Sequence, residues 1–130
     1  MKLTIVPLTL AICRLAADEP IPGWALSRQG FFSITVTEDE LSIVCPVAAV
    51  PAGVTCEQPW RAIKVLGPLD FALVGILAAL AEVLARAQIS IFAISTFDTD
   101  YILLKEQQLE RAITVLKQAG HDLFGELTCS

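Results

Sequence analysis

The chain of 130 residues is 55% hydrophobic and 18% charged, with a formal net charge of −5. This length allows one ordinary domain or two very small ones, and the apolar content excludes a disordered chain. Because the 9 basic residues form no cluster, neither a nucleic-acid partner nor an anionic membrane surface is expected. The chain is also more apolar than one small solvated domain requires, which predicts an interface with another subunit.

The cysteine and histidine content indicates no cofactor, metal or catalytic site. The four cysteines form no C-x-x-C pair; they are Cys13, Cys45, Cys56 and Cys129. Long apolar runs make disulfides unnecessary, so we interpret the cysteines as reduced thiols of a cytoplasmic protein. Nothing in the sequence places His121, the only histidine, beside a cysteine as a nucleophile–base pair. An enzyme that uses Cys13, Cys45 or His121 is therefore not expected.

The N-terminal segment, residues 2–15, is apolar and is divided by Pro7. A proline in such a run predicts two short strands or one bent strand. Pro7 and the charged Arg14 also favour strands of the mature protein over a signal peptide at this position.

A hairpin and a loop are predicted next. Alternating apolar residues at 31–37 and 41–45 flank a charged turn, which is typical of a hairpin. Three prolines and a glycine in 46–59 predict a loop. We take this loop as the boundary between two domains, 1–59 and 60–130.

The second half predicts an alternation of strands and helices. The predicted strands are 61–66, 89–96, 100–105 and 121–127, and the predicted helices are 70–87 and 106–119. This βαββαβ order is that of the ferredoxin-like fold, in which helices cover one face of an antiparallel sheet. Strand 89–96 is largely apolar on both faces, whereas a face in contact with water would be polar. Another sheet or subunit is therefore expected to cover its second face.

Three segments of the sequence resemble ACT domains. Residues 72–78, ALVGILA, are similar to the loop in which a glycine opens the first helix, and residues 31–44 resemble the N-terminal hairpin of small tandem ACT proteins. The most specific segment is 94–106, which reads ISTFDTDYILLKE and also resembles the CASTOR arginine sensors of the target-of-rapamycin pathway. The resemblance covers residues 31–119 well and the first thirty residues loosely.

This resemblance implies an α+β fold of two ferredoxin-like βαββαβ ACT units, each an antiparallel sheet with helices on one face, the first unit being degenerate. It also implies a non-enzymatic regulatory module that binds a small metabolite, most simply a free amino acid, at an ACT–ACT interface. The sensors carry four such units in one chain, so a homodimer of this chain would restore that number, and a regulatory protein would be a further partner. The alternative is a dimerising scaffold that has lost its ligand.

The resemblance further implies which residues contact the ligand. In the arginine sensors the amino acid is held by the start of the second strand of one unit and by the S-T-F-x-x-D segment of another; here these positions are Ser90, Ile91, Thr96, Phe97 and Asp100. The loop that lines the pocket in ACT domains corresponds here to Asp70, Leu73, Val74 and Gly75.

The residues themselves leave alternatives at four positions. Asp98 and Asp100 share one face of a regular strand, where carboxylates would suit an ammonium or guanidinium group, but both could instead cap a tight turn. With the resemblance, we assign Asp100 to the ligand and Asp98 to the turn. Gly75 either lets the backbone approach a ligand carboxylate or permits close packing of helix on sheet. Asp70 would ordinarily be a helix N-cap.

Overall fold

The computed structural model describes residues 1–66 and 75–128. Within these residues the elements are, in chain order, β1 (Lys2–Ile5), β2 (Leu10–Leu15), β3 (Ser33–Val36), β4 (Leu41–Pro46), β5 (Thr55–Val65), α1 (Ile76–Arg86), β6 (Phe92–Ser95), β7 (Asp100–Lys105), α2 (Leu109–Gln118) and β8 (Asp122–Phe124). Short 3₁₀ turns lie at Gly23–Leu26, Val47–Ala49 and Glu106–Gln108. In this described part of the chain, neither helix has the length and hydrophobicity that a membrane crossing requires.

The chain folds as two compact units. The N-terminal unit comprises Leu8–Trp60, and the C-terminal unit comprises Met1–Pro7 together with the chain from Arg61 onward. The division predicted from the sequence, 1–59 and 60–130, therefore differs from these units at Met1–Pro7. The reason is that β1 pairs with β5 and β8 of the C-terminal unit, with Leu3 opposite Val65 and Leu123.

The N-terminal unit is an antiparallel sheet in the order β3-β4-β2-β5. The predicted hairpin is confirmed, since β3 pairs with β4 from Ser33↔Val44 to Val36↔Leu41. The loop predicted at 46–59 is shorter than expected because β5 already begins at Thr55. Pro59 interrupts the sheet locally without ending it, since the pairing of β2 with β5 shifts register between Leu10 and Ile12.

The core of the N-terminal unit is formed by small and branched side chains of one sheet face together with Ala25 of the first 3₁₀ turn. Its buried sheet members are Ala11, Cys13, Leu41, Ile43 and Cys45. Partly buried aromatic and aliphatic residues, among them Trp24 and Phe32, pack around this cluster. No α-helix is present in Leu8–Trp60, all of which the structure describes. This agrees with the weak helical signal of the first half of the sequence.

The C-terminal unit has the strand order β6-β7-β5-β1-β8. The connection from β5 through α1 to β6 leaves room for β7 between the two strands, as in the ferredoxin-like split βαβ arrangement. The place beside β5 that a last strand would take belongs instead to β1, which runs antiparallel to β5. The last predicted strand, 121–127, shortens to β8 and pairs in parallel with β1. The α+β class and the ferredoxin-like arrangement are thus confirmed.

Both helices cover the same face of this sheet. Leu80 and Leu84 of α1, and Leu109, Ala112 and Leu116 of α2, recur at the three- and four-residue spacing of one helix face. They pack on alternating strand residues in one buried cluster, whose strand members are Leu3, Ile5, Ile63, Val65, Ile102 and Leu104. We call this side of the sheet the helix face, and it holds the main core of the unit.

The opposite face of the sheet carries the other set of alternating residues. Phe92 and Ile94 of β6 lie opposite Leu103 and Tyr101 of β7. Leu103 is fully buried, whereas Phe92 and Ile94 remain partly exposed. β6 begins later than predicted because Gln88, at φ 61°, and the bond from the Ile89 amide to the Leu84 carbonyl close the end of α1.

Candidate functional site

The turn between β6 and β7 is closed by its own threonines. The Thr96 amide donates to the Thr99 carbonyl at 2.8 Å, and the Thr96 hydroxyl donates to the same oxygen at 3.2 Å. In return the Thr99 amide donates to Thr96 Oγ1 at 3.3 Å. These bonds fix the positions of Phe97 and Asp98 between the two threonines.

A buried hydroxyl ties this turn to the end of β5. Thr99 is 5% exposed, and its Oγ1 donates to the Val65 carbonyl at 2.6 Å. The chain leaves β5 at this point and begins α1 at Ile76, so the turn lies at the end of the sheet from which the β5–α1 connection departs. Sequence reasoning assigned no role to Thr99, although the residue lies within the S-T-F-x-T-D segment.

Asp100 lies on the helix face at this same end. It is paired with Ser95, and the next pair on that face is Ala93 with the core residue Ile102. The Ser95 hydroxyl donates to Asp100 Oδ1 at 2.5 Å. The partly buried carboxylate keeps further acceptor capacity, and among the described residues no cation forms an ion pair with it. Sequence reasoning missed Ser95, which the hairpin register could have identified.

Phe97 is the most exposed large apolar residue of the described chain, at 81%. Thr96 beside it is also exposed at the backbone turn, and Asp98 follows as an exposed turn residue. An exposed aromatic ring on a turn closed by hydrogen bonds has little conformational freedom to lose when another surface covers it. The turn therefore combines an apolar contact residue with a nearby carboxylate.

Gly75 immediately precedes α1 in a left-handed conformation, with φ 81°. The Ala79 amide donates to its carbonyl at 2.8 Å and closes the first helical turn. A side chain added at this glycine would meet no described atom within 4 Å. The positive φ therefore explains the glycine, and close packing of helix against sheet does not. The other predicted residues of this loop, Asp70, Leu73 and Val74, lie outside the described residues.

Ser90 and Ile91 do not join the turn within one C-terminal unit. They precede β6, six and five residues before Thr96, which corresponds to roughly 17–20 Å of extended chain. Ser90 is exposed, and Ile91 packs partly against the core. The unit therefore brings together Thr96, Phe97 and Asp100 and leaves Ser90 and Ile91 at the opposite end of β6.

The thiols have the character of structural residues. Cys13 and Cys45 are buried, and burial raises the pKa of both, that of Cys13 to about 12 with the neighbouring Cys45 and Cys56 adding to the rise. Thiolates, which are the nucleophilic form, are therefore rare at these two positions near neutral pH. Within residues 1–66 and 75–128, no group of three or more histidine, cysteine, aspartate or glutamate side chains is arranged to hold a metal ion.

Comparisons with known proteins agree with this architecture. A sequence model of the ACT domain matches residues 55–118, and a model of an N-terminal domain matches residues 9–53. The human cytosolic arginine sensor for mTORC1, subunit 1, is 33% identical over 116 residues, which are 83% of this chain and 34% of the sensor. The chain thus spans about a third of the length of the curated relatives it matches.

Two solved structures extend the comparison. A crystal structure of a protein from Agobacterium tumefaciens superposes with a TM-score of 0.90 at 42% identity, covering 96% of this chain and 92% of that one. The aspartokinase alpha and beta subunits superpose with a TM-score of 0.64 at 17% identity, covering 92% of this chain and 97% of that one, which shows a shared fold. Sequence match, strand order and structural likeness agree that residues 55–118 of the chain form a domain of the ACT family.

Proposed function

We propose that this chain is a non-enzymatic regulatory module of the cytoplasm that binds a free amino acid at an interface between ACT units. The observation that carries the proposal is the partly buried Asp100 carboxylate, which accepts a 2.5 Å hydrogen bond from Ser95 and has no ion-pair partner among the described residues. A carboxylate in that setting suits an ammonium or guanidinium group through charge-assisted hydrogen bonds. The name of the arginine sensor, a relative of this chain, is consistent with such a ligand.

The α-carboxylate of the ligand, away from the cationic group, would face the start of α1. Gly75 immediately precedes this helix, and a helix N-terminus favours a negative group such as an α-carboxylate. Asp70, Leu73 and Val74 are proposed to complete this part of the site. The ligand would then span from the α1 N-terminus to Asp100, with its cationic group at the aspartate.

The interface is proposed to form along β6. Among the described strands, β6 pairs with β7 and with no other, so it lies at an edge of the sheet. Residues 89–97 contain neither a charge nor a proline, the usual devices that protect an exposed edge. If β6 pairs antiparallel with β6 of a second copy about a two-fold axis at Ala93, Ser90 and Ile91 of one copy lie opposite Thr96 and Ser95 of the other. A homodimer would therefore assemble both halves of the predicted site.

Ala93→Glu is expected to break this dimer. Ala93 is exposed near the centre of β6, so antiparallel pairing about a two-fold axis would bring the two introduced carboxylates close together. Like charges on adjacent strands destabilise pairing. Light scattering should give twice the chain mass of 14.0 kDa for the wild type and for the control Ala93→Ser, and the single-chain mass for Ala93→Glu. A monomeric wild type at micromolar concentration would contradict the dimer.

The ligand proposal is tested by a thermal-shift screen against the twenty amino acids. A ligand that binds only the native state at about 100 times its Kd adds about 2.7 kcal/mol of stability, which is a clear rise in melting temperature. The N-acetylated form of any hit serves as the control, because it lacks the α-ammonium group.

If no amino acid shifts the melting temperature at millimolar concentration while the dimer persists, the chain is a dimerising scaffold without a ligand. The neutral β6 edge and the exposed Phe97 favour that second function, since neither depends on a small molecule.

A further inference from the structure

Three thiols gather on one face of the sheet of the N-terminal unit. Cys13 lies on β2, Cys45 on β4 and Cys56 on β5, and all three belong to the same apolar cluster. The three thiols lie close enough to influence one another, since Cys45 and Cys56 both add to the rise in the pKa of Cys13. The amino-acid site proposed above uses none of these residues, so the cluster requires an explanation of its own.

The sheet register distinguishes the two pairs that Cys13 could form. Cys13 lies directly opposite Cys56 across antiparallel strands. Directly opposite residues have Cα atoms about 4.5 or 5.5 Å apart, within the range of about 4.4–6.8 Å that a disulfide requires. Cys45 is opposite Ala11, so it is diagonal to Cys13. A diagonal separation of about 7–8 Å is too long for a disulfide without backbone movement.

Solvent exposure distinguishes the roles of the Cys13 and Cys56 sulfurs. Cys13 is 1% exposed and Cys45 is fully buried, whereas Cys56 is only partly buried. An external reagent therefore reaches Cys56 first. We propose that Cys56 and Cys13 form a modification site, in which low-molecular-weight disulfides such as oxidised glutathione convert the two thiols into an intramolecular disulfide.

The reaction is a two-step thiol–disulfide exchange. The Cys56 thiolate attacks one sulfur of the small disulfide, a bond forms between them, the original S–S bond breaks, and one small thiolate leaves. The sulfur of Cys13, after losing its proton to water, then attacks Cys56 and displaces the second small thiolate. The two protein thiols are oxidised, the small disulfide is reduced to two thiols, and no other reagent is required.

The test uses the full chain with Cys129→Ser, which leaves the three clustered thiols. After incubation with oxidised glutathione, denaturation and alkylation, intact mass should show the loss of two hydrogens and a single alkylated thiol. Peptide mapping should place the link between Cys13 and Cys56. The matched variant Cys45→Ser should form the same link and leave no thiol to alkylate, and Cys56→Ser should form no disulfide.

Cys13→Ser separates the two steps. In that variant Cys56 should retain one glutathionyl group, because no resolving sulfur lies opposite it; Cys13→Ala, which introduces no buried hydroxyl, should give the same adduct if the serine variant fails to fold. A link that involves Cys45, a disulfide that survives in Cys56→Ser, or a wild-type cluster that stays fully reduced would overturn the assignment.

Discussion

Asp100→Asn is expected to abolish the rise in melting temperature caused by the ligand while leaving the melting temperature of the free protein close to that of the wild type. The asparagine keeps the size of the side chain and an oxygen that can accept the Ser95 hydroxyl bond, but it removes the negative charge. Loss of a charge-assisted partner in a desolvated site typically costs 2–5 kcal/mol, or roughly 30-fold or more in affinity. Calorimetric titration with the amino acid found in the screen measures this loss.

Asp98→Asn is the matched control for this change. It removes the same charge two residues away, at an exposed position of the β6–β7 turn. Ligand affinity should stay within about twofold of the wild type, since distant surface substitutions usually change free energies by less than about 0.5 kcal/mol. Equal losses in both variants would indicate a general electrostatic effect, and unchanged affinity in Asp100→Asn would refute the role of Asp100.

Leu3→Ala is expected to destabilise the C-terminal unit although residue 3 is far from that unit in sequence. Leu3 is fully buried in the cluster formed by α1, α2 and the strands they cover. Removing a buried leucine side chain costs about 3–5 kcal/mol through lost burial and the cavity left behind. For a unit of this size the melting temperature should fall by roughly 10 °C or more.

Hydrogen exchange locates the effect of Leu3→Ala. Amides of β8 and of the Arg61–Val65 part of β5, which flank β1, should lose protection first. Leu26→Ala removes the same atoms from a residue that is 58% exposed and should change stability by less than about 0.5 kcal/mol. Loss of protection confined to the N-terminal unit would contradict the placement of β1.

The C-terminal half was largely predictable because its local patterns agree with its packing. Leu109, Ile113 and Leu116 repeat at helical spacing, and the helix they predict is α2. The hairpin of β6 and β7 follows from two apolar runs around a short polar turn. In these segments the residues that contact one another are only a few positions apart in the sequence. The local pattern of apolar residues is therefore sufficient to predict the helix or the hairpin.

The position of β1 was not predictable from local pattern. Its apolar residues indicate a strand, but its partners, β5 and β8, lie about 60 and 120 residues away. The start of β5 was not predicted for a different reason. Pro59 and the earlier Gly53 are typical of loops, yet the sheet accommodates the proline where the pairing of β2 with β5 shifts register. Pairing over long sequence separations is a tertiary property, which single-sequence patterns do not encode.

The candidate site was predictable in its composition more than in its geometry. The S-T-F-x-x-D segment drew attention to Thr96, Phe97 and Asp100, which one turn brings together. The bonds that fix this turn, from Thr99 to Val65 and from Ser95 to Asp100, depend on the register of three strands and could not be inferred from residue type. Ser90 and Ile91 lie at the other end of β6, so their proposed contact with the turn depends on a second copy of the chain.

The C-terminal unit is built from two separate sequence segments, and this determines which fragments of the protein retain its complete sheet. Since Ile5 pairs with Ile63 and the Val6 amide donates to the Ala62 carbonyl, continuing that ladder sets Pro7 opposite Arg61. The whole N-terminal unit is therefore an insertion at the tip of what would otherwise be a simple β1–β5 hairpin. A fragment that begins at Arg61 would lose β1, the strand between β5 and β8, whereas excising 8–60 and closing the gap with a two-residue turn would retain it. At this point the C-terminal unit needs only β1 and the Arg61–Val65 part of β5, so the insertion leaves the pairing of those two strands unbroken.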